Sequence, residues 1–163
     1  MIRERTHTWQ DPRELAAAGA SLSGLDFLSR IGRGELPLPP AVEALGITPI
    51  EVGDGWIEFE LVPAEWHYNG LGTVHGGILS TLADSASGCA VHSKLRAGTG
   101  YTSLDLTIKF TRAATVDGGP LTCRGEVVSI GRRTATAEAR ITDARGKVIA
   151  QAVSTCLLIS DPS

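Results

Sequence analysis

One segment limits what this chain can fold into. From Gly76 to Ser93 the residues do not alternate, and most are small: Gly77, Ser80, Ala83, Ser85, Ala86, Ser87, Gly88, Cys89 and Ala90. Ile78, Leu79, Leu82 and Val91 are its larger apolar residues. The segment reads as a helix, yet glycine weakens a helix interior, so Gly88 needs a packing reason. Aromatics make up only 5% of the chain, so small side chains carry much of the packing. This composition predicts one long helix gripped closely by sheet on several sides.

The flanking segments supply that sheet. Ile47–Val52 and Trp56–Val62 flank Gly53-Asp54-Gly55, a hairpin turn. Ile57, Phe59 and Leu61 alternate with Glu58 and Glu60, giving one buried face and one wet face. Tyr101–Phe110 also alternates, with Thr102, Leu104, Leu106, Ile108 and Phe110 on one side and Tyr101, Ser103, Asp105, Thr107 and Lys109 on the other. Leu121–Ile130 and Thr134–Thr142 surround Gly131-Arg132-Arg133, and a turn at Asp143–Gly146 leads to Lys147–Ile159. Two strands, one long helix and then a four-strand meander predict an α+β fold with a curved antiparallel sheet around the helix. Residues 1–45 read as a helical appendage and Pro-rich linker, and 46–163 as the main domain. In the appendage, Asp11-Pro12 starts one helix, Leu25, Leu28 and Ile31 mark a second, and Leu36–Pro40 is stiff.

Charge and cysteine usage exclude several classes of function. The net charge of -3 argues against nucleic acid as a partner, because phosphates need a basic surface. No apolar run approaches the roughly 20 residues of a membrane span, and the charged start, Met1-Ile-Arg-Glu-Arg, lacks the apolar core of a signal peptide. Cys89, Cys123 and Cys156 are odd in number, widely spaced and without a CxxC pair. The expectation is three reduced cysteines in a cytoplasmic protein with no metal and no cofactor.

Packing does not account for Asp84. A carboxylate midway along a small, apolar helix is costly to bury unless something uses it. The helix begins at Val74-His75-Gly76-Gly77, where free backbone amides and the positive end of the dipole meet. Glycines there let a ligand oxygen approach the backbone, the requirement for an oxyanion hole. Asn69 stands six residues before His75 and Asp84 nine after it. Asp84 is also eight residues beyond Gly76, so about 12 Å further along one straight helix at roughly 1.5 Å per residue. Attack on a carbonyl carbon needs an approach of roughly 3–3.5 Å. One helix cannot bring both groups to one carbonyl, whereas two antiparallel helices related by a two-fold axis can.

The run Trp66-His-Tyr-Asn-Gly-Leu-Gly-Thr-Val-His-Gly-Gly-Ile-Leu-Ser-Thr-Leu-Ala-Asp84 resembles the signature of the hot dog fold acyl-CoA thioesterases, and within them the phenylacetate-catabolism subfamily. Tyr101-Thr-Ser-Leu-Asp-Leu106 and Ser154-Thr-Cys-Leu-Leu158 are similar to that subfamily as well. The resemblance covers roughly residues 24–159. It implies a central helix wrapped by an antiparallel sheet, assembled as homodimers and homotetramers, that hydrolyses acyl-coenzyme A. It implies Asp84 as the catalytic nucleophile or general base and the Gly76 amide as the carbonyl-polarising group. Gly77 follows that glycine and counts as substrate-binding. Asn69 and His75 then line the thioester, with Ser103 holding the attacking water. Asn69 is expected to matter more than Ser103. His67 and His92 are structural or exposed. Arg132 and Arg133, with Lys94 and Arg96, are the cations available to the coenzyme A phosphates. A thioester is activated enough for one carboxylate and one preorganised amide, with no Ser–His–Asp relay. A non-catalytic acyl-CoA binding module on the same fold is the alternative, and Asp84 discriminates, since a binder has no use for it. The His-Gly-Gly…Asp order argues against a hot dog dehydratase.

Overall fold

Alternating apolar residues fix which face of each strand is buried, and small residues fix how near the helix comes. The computed structural model describes residues 1–160. The last three positions of the expected main domain, 161–163, lie outside the described residues. In chain order the elements are α1 (Pro12–Gly19), α2 (Gly24–Gly32), α3 (Pro40–Leu45), β1 (Ile47–Gly53), β2 (Trp56–Leu61), α4 (Gly76–Ser93), β3 (Thr99–Phe110), β4 (Leu121–Ile130), β5 (Thr134–Thr142) and β6 (Val148–Ser160). The six strands form one antiparallel sheet in the order β1-β2-β4-β5-β6-β3. Helix α4 touches β1 and every other strand, so the sheet curls around it as a hot dog fold.

The expected four-strand meander does not form. β3 pairs with β6 at the far edge, and β4 pairs with β2. Alternation specifies a strand's buried face but not its neighbour, so either pairing satisfies the same sequence pattern. The connection after β3 decides. Residues 111–120 do not make a tight turn; they cross the end of α4, where Val74 N–H donates to Ala114 O at 2.9 Å and Val116 N–H donates to the Tyr68 hydroxyl at 2.7 Å. The crossing seals the loop that leads into the helix and delivers β4 to β2.

Strand β3 departs from strict alternation. Ser103 pairs with Cys156 and Asp105 with Thr155, leaving Leu104 as an extra residue in a bulge. The extra residue shifts the alternation by one, so odd-numbered positions before it share a face with even-numbered positions after it. Leu106 and Ile108 pack on the core, Phe110 lies against Gly76, and Tyr101 and Ser103 also turn toward the helix. Leu104, expected inside, is exposed.

The sheet lies close enough to α4 that some positions admit no side chain. A Cβ on Gly125 of β4 would stand 2.2 Å from the Ala86 carbonyl oxygen, and one on Gly88 would stand 2.7 Å from the Tyr101 ring. The latter is the packing reason that Gly88 requires. Ile57, Phe59, Leu82, Ala86, Cys123 and Ile141 form the centre of the core. Among the first 45 residues, Asp11 and Ser23 cap α1 and α2 through the amides of Arg13 and Asp26, as residues of these types do at helix starts. α2 lies on β1 and α4, and Leu28 joins the main core. Gly125→Ala is expected to lower the unfolding free energy by about 1–3 kcal/mol through overpacking. A drop in the urea midpoint at constant slope would show it; an unchanged midpoint would contradict the contact.

Candidate active site

The loop before α4 is built from its own polar side chains. Asn69 Oδ1 accepts from Leu71 N–H at 2.8 Å and Thr73 N–H at 3.3 Å, and its Nδ2 donates to Thr73 Oγ1 at 3.0 Å. Asn69 therefore shapes the loop from within. His67 is buried beneath it, accepting from Ala64 N–H at 3.0 Å and donating through Nε2 to Leu45 O at 2.9 Å. Burial holds its pKa below the usual histidine value. His92 is also depressed by burial and packs between the rings of Phe27 and Tyr101. Both histidines are structural.

At the helix start, His75 is the N-cap, and its Nδ1 accepts from Gly77 N–H at 2.8 Å. Ile78 N–H and Leu79 N–H both reach the His75 carbonyl, at 2.9 and 3.3 Å. Gly76 N–H has no partner among the described residues. Of the two glycine amides, Gly77's is occupied by the cap and Gly76's stays open at the positive end of the dipole. Phe110 lies over Gly76, where a Cβ would come within 3.2 Å of its ring.

Asp84 sits two turns further along, half-buried, on the side of α4 that faces β3. Ser103 Oγ donates to its Oδ1 at 2.8 Å. The Leu104 bulge makes this bond, because unbroken alternation would place Ser103 and Ile108 on opposite faces. Around the pair lie Tyr101, Cys89 and Cys156. Burial pushes the Cys89 thiol up to about 12 and raises Cys156 and Tyr101 as well, so these groups stay protonated. Sequence reading missed Tyr101, Cys89 and Cys156 as neighbours of Asp84; the small Gly88 opposite a strand aromatic was the only signal available.

The structure brings Asp84 and Ser103 together, and Asn69, His75, Gly76 and Gly77 around the helix start. It separates the expected cations from the latter. Arg132 and Arg133 occupy the exposed β4–β5 turn, next to Ala135, which packs with Val91 and Leu95 at the opposite end of α4. Lys94 is held by Asp54 at 2.7 Å. Among the described residues no cluster of three or more His, Cys, Asp or Glu could hold a metal, and no helix is long and apolar enough to cross a membrane.

The chain is similar to known proteins in both sequence and fold. The sequence pattern of the thioesterase superfamily matches residues 71–150. Human acyl-coenzyme A thioesterase 13 is 32% identical over 106 residues, covering 64% of this chain and 74% of its own. The chain belongs to the thioesterase superfamily. Among solved structures, the phenylacetic acid degradation-related protein of Ralstonia eutropha is 30% identical with a TM-score of 0.72, covering 79% of this chain and 97% of its own. The PaaI protein from the phenylacetic acid degradation operon of E. coli is 26% identical with a TM-score of 0.73, covering 86% of this chain and 97% of its own. By family the protein is a thioester hydrolase, and the superfamily match takes in Gly76, Asp84 and Ser103.

The three Asn69 side-chain bonds give a direct test of the loop. Asn69→Ala removes them, each worth about 0.5–1.5 kcal/mol. Hydrogen exchange at the Leu71 and Thr73 amides is expected to speed up by about tenfold or more. Unchanged exchange would show that the loop is held by something else.

Proposed function

We propose that the protein hydrolyses acyl-coenzyme A thioesters, aryl-acyl groups included, with Asp84 as the attacking or water-activating carboxylate. The observation that carries this is the Ser103–Asp84 bond. It uses Oδ1 and leaves Oδ2 without a partner among the described residues, on a side chain that packing alone does not need. In the general-base route, Asp84 takes a proton from water as the oxygen adds to the thioester carbon. The oxyanion rests on the open Gly76 amide. Collapse then breaks the carbon–sulfur bond, and the coenzyme A thiolate leaves and takes up a proton. In the nucleophilic route, an Asp84 oxygen adds first, and water then cleaves the mixed anhydride. Ser103 orients the carboxylate or its water, and His75 and Asn69 hold the amide and the loop in place. Neither route uses a metal or a cofactor, and turnover should survive chelation unchanged.

The two reacting groups belong to different chains. About 12 Å of helix separates Gly76 from Asp84 within one chain, so Asp84 acts with Gly76 of the partner subunit in a homodimer. Leu71, Leu104, Phe110 and Val116 are large, apolar and exposed, which supports a second copy over this side. Homodimers pair into a homotetramer, working in the cytoplasm, where buried, reduced cysteines persist. Arg132 and Arg133 bind coenzyme A phosphates in this reading. Val91, beside their turn, lies seven residues past Asp84, about 10 Å along the axis and within reach of the extended coenzyme A arm of the substrate.

Asp84→Asn is expected to keep the fold and lower kcat by about 10²–10⁴. Near-native turnover by this variant would favour the acyl-CoA binding module. Gly76→Pro removes the open amide at the first helical position, where proline is tolerated. It should be inactive alone, yet mixing Asp84→Asn chains with Gly76→Pro chains should recover activity, since one site per mixed dimer is intact. Mixed dimers as inactive as their parents would exclude the shared site.

A further inference from the structure

Residues 1–10 lie along the domain as an arm. All are exposed, none belongs to a helix or strand, and none makes a backbone hydrogen bond among the described residues. Two side chains hold the arm in place. Arg3 Nε donates to Glu65 Oε1 at 2.6 Å, and the Arg5 guanidinium lies over the Trp66 ring, 4.3 Å from its centroid. One cation meets a carboxylate and the next meets an aromatic face, on adjacent residues of a single short turn at Glu65–His67. Both contacts are exposed, and contacts of this kind are weak singly.

That turn is the footing of the helix start. Its last residue, His67, is buried, with Nδ1 accepting from Ala64 N–H and Nε2 donating to Leu45 O. Trp66 meets the His67 ring edge-on, with 5.4 Å between centroids. The His67 carbonyl accepts from His75 N–H at 2.8 Å, and beside it a bridge between Tyr68 and Val74 closes the loop at its base. His75 caps the helix, takes the Gly77 amide and leaves the Gly76 amide open. Contacts therefore run without a gap from Arg5 through Trp66, His67 and His75 to Gly76. Arg5 also acts on His67 through its charge. Burial, and after it the Arg5 charge, lower the His67 pKa against the raising effect of the Leu45 bond. A neutral ring is what the turn requires, because Nδ1 must keep its lone pair for Ala64 N–H.

We infer that Arg3 and Arg5 are positioning residues for thioester hydrolysis: the arm pins the Glu65–His67 turn, and the turn fixes where the Gly76 amide points. This rests on the proposed role of that amide and adds two residues far from it in the chain. An oxyanion donor works because it is held in place before charge develops on the substrate. A loosened footing therefore slows the chemical step more than it weakens substrate binding.

The double variant Arg3→Ala/Arg5→Ala releases the arm and leaves the core untouched. With phenylacetyl-coenzyme A as substrate, its kcat should fall by about three- to tenfold while KM stays within about twofold. Arg5→Lys keeps a cation over the ring and should retain most of the turnover that Arg5→Ala loses. Trp66→Leu should slow turnover as Arg5→Ala does, and the two changes together should slow it no further, because both remove one contact. Hydrogen exchange at the His75 amide should quicken in the double-arginine variant by a similar factor. Arg13→Ala breaks an ion pair with Asp11 away from the turn and should alter neither readout. An unchanged kcat in the double-arginine variant would overturn the inference. A raised KM at constant kcat would overturn it too, since the arginines would then be contacts to the coenzyme A phosphates. So would arginine and tryptophan effects that add in full. The exchange measurement keeps this inference apart from the hydrolase reading. If the native protein cleaves no thioester while the His75 amide still responds to the arm, the hydrolase reading alone falls and the brace stands. If the native protein is active and neither readout responds, the brace alone falls.

Discussion

The near contact of α4 with the sheet is the constraint on which the rest of the structure depends. At Gly125 the Ala86 backbone, and at Gly88 the Tyr101 ring, occupies the space where a side chain would stand. That proximity lets a short sheet curl around a single helix and leave little void. It also leaves no room for a large side chain along the seam with β3. The seam carries Gly76, Ser80, Asp84 and Gly88 at four-residue intervals, three small residues and one carboxylate. Asp84 is exceptional there because a partner, Ser103, was brought to it.

The means is one extra residue. With Leu104 bulged, Tyr101 and Ser103 share the inner face with Leu106 and Ile108. The local irregularity serves packing, through Tyr101 over Gly88 and against His92, and sets the Ser103–Asp84 bond on which the proposed chemistry rests. At the other end of the seam, His75 takes the Gly77 amide and thereby singles out the Gly76 amide as the open one. In the proposed mechanism these are two half-sites on one helix, too far apart to serve one carbonyl and complementary across a two-fold axis.

Much of this was legible beforehand, and what was not depends on contacts between distant segments. Helix α4, the β1–β2 hairpin and the β4–β5–β6 succession follow from local pattern: small-residue composition, alternation and turn residues. Asp84 stood out because a charge in an apolar helix conflicts with its surroundings. The neighbour of β3 was misjudged because alternation carries no information about partners, and the bulge because sequence alternation continues unbroken through Leu104. The hydrogen bonds by which Asn69 holds its own loop were not legible either, since the motif gives its position and not its partners. The placement of Arg132 and Arg133 at the far end of the helix from Gly76 is likewise something their charge alone does not give.

The sequence by itself therefore determined the elements, the buried faces of the regular strands, the long helix and the residues proposed to polarise and attack a carbonyl. Those follow from interactions among residues close in the chain or from the cost of an unexplained charge. Tertiary structure alone decided that β3 lies beside β6, that Ser103 meets Asp84, and that one of two adjacent glycine amides stays open. Each depends on segments brought together from far along the chain, where the outcome rests on geometry across the sheet and not on any local preference.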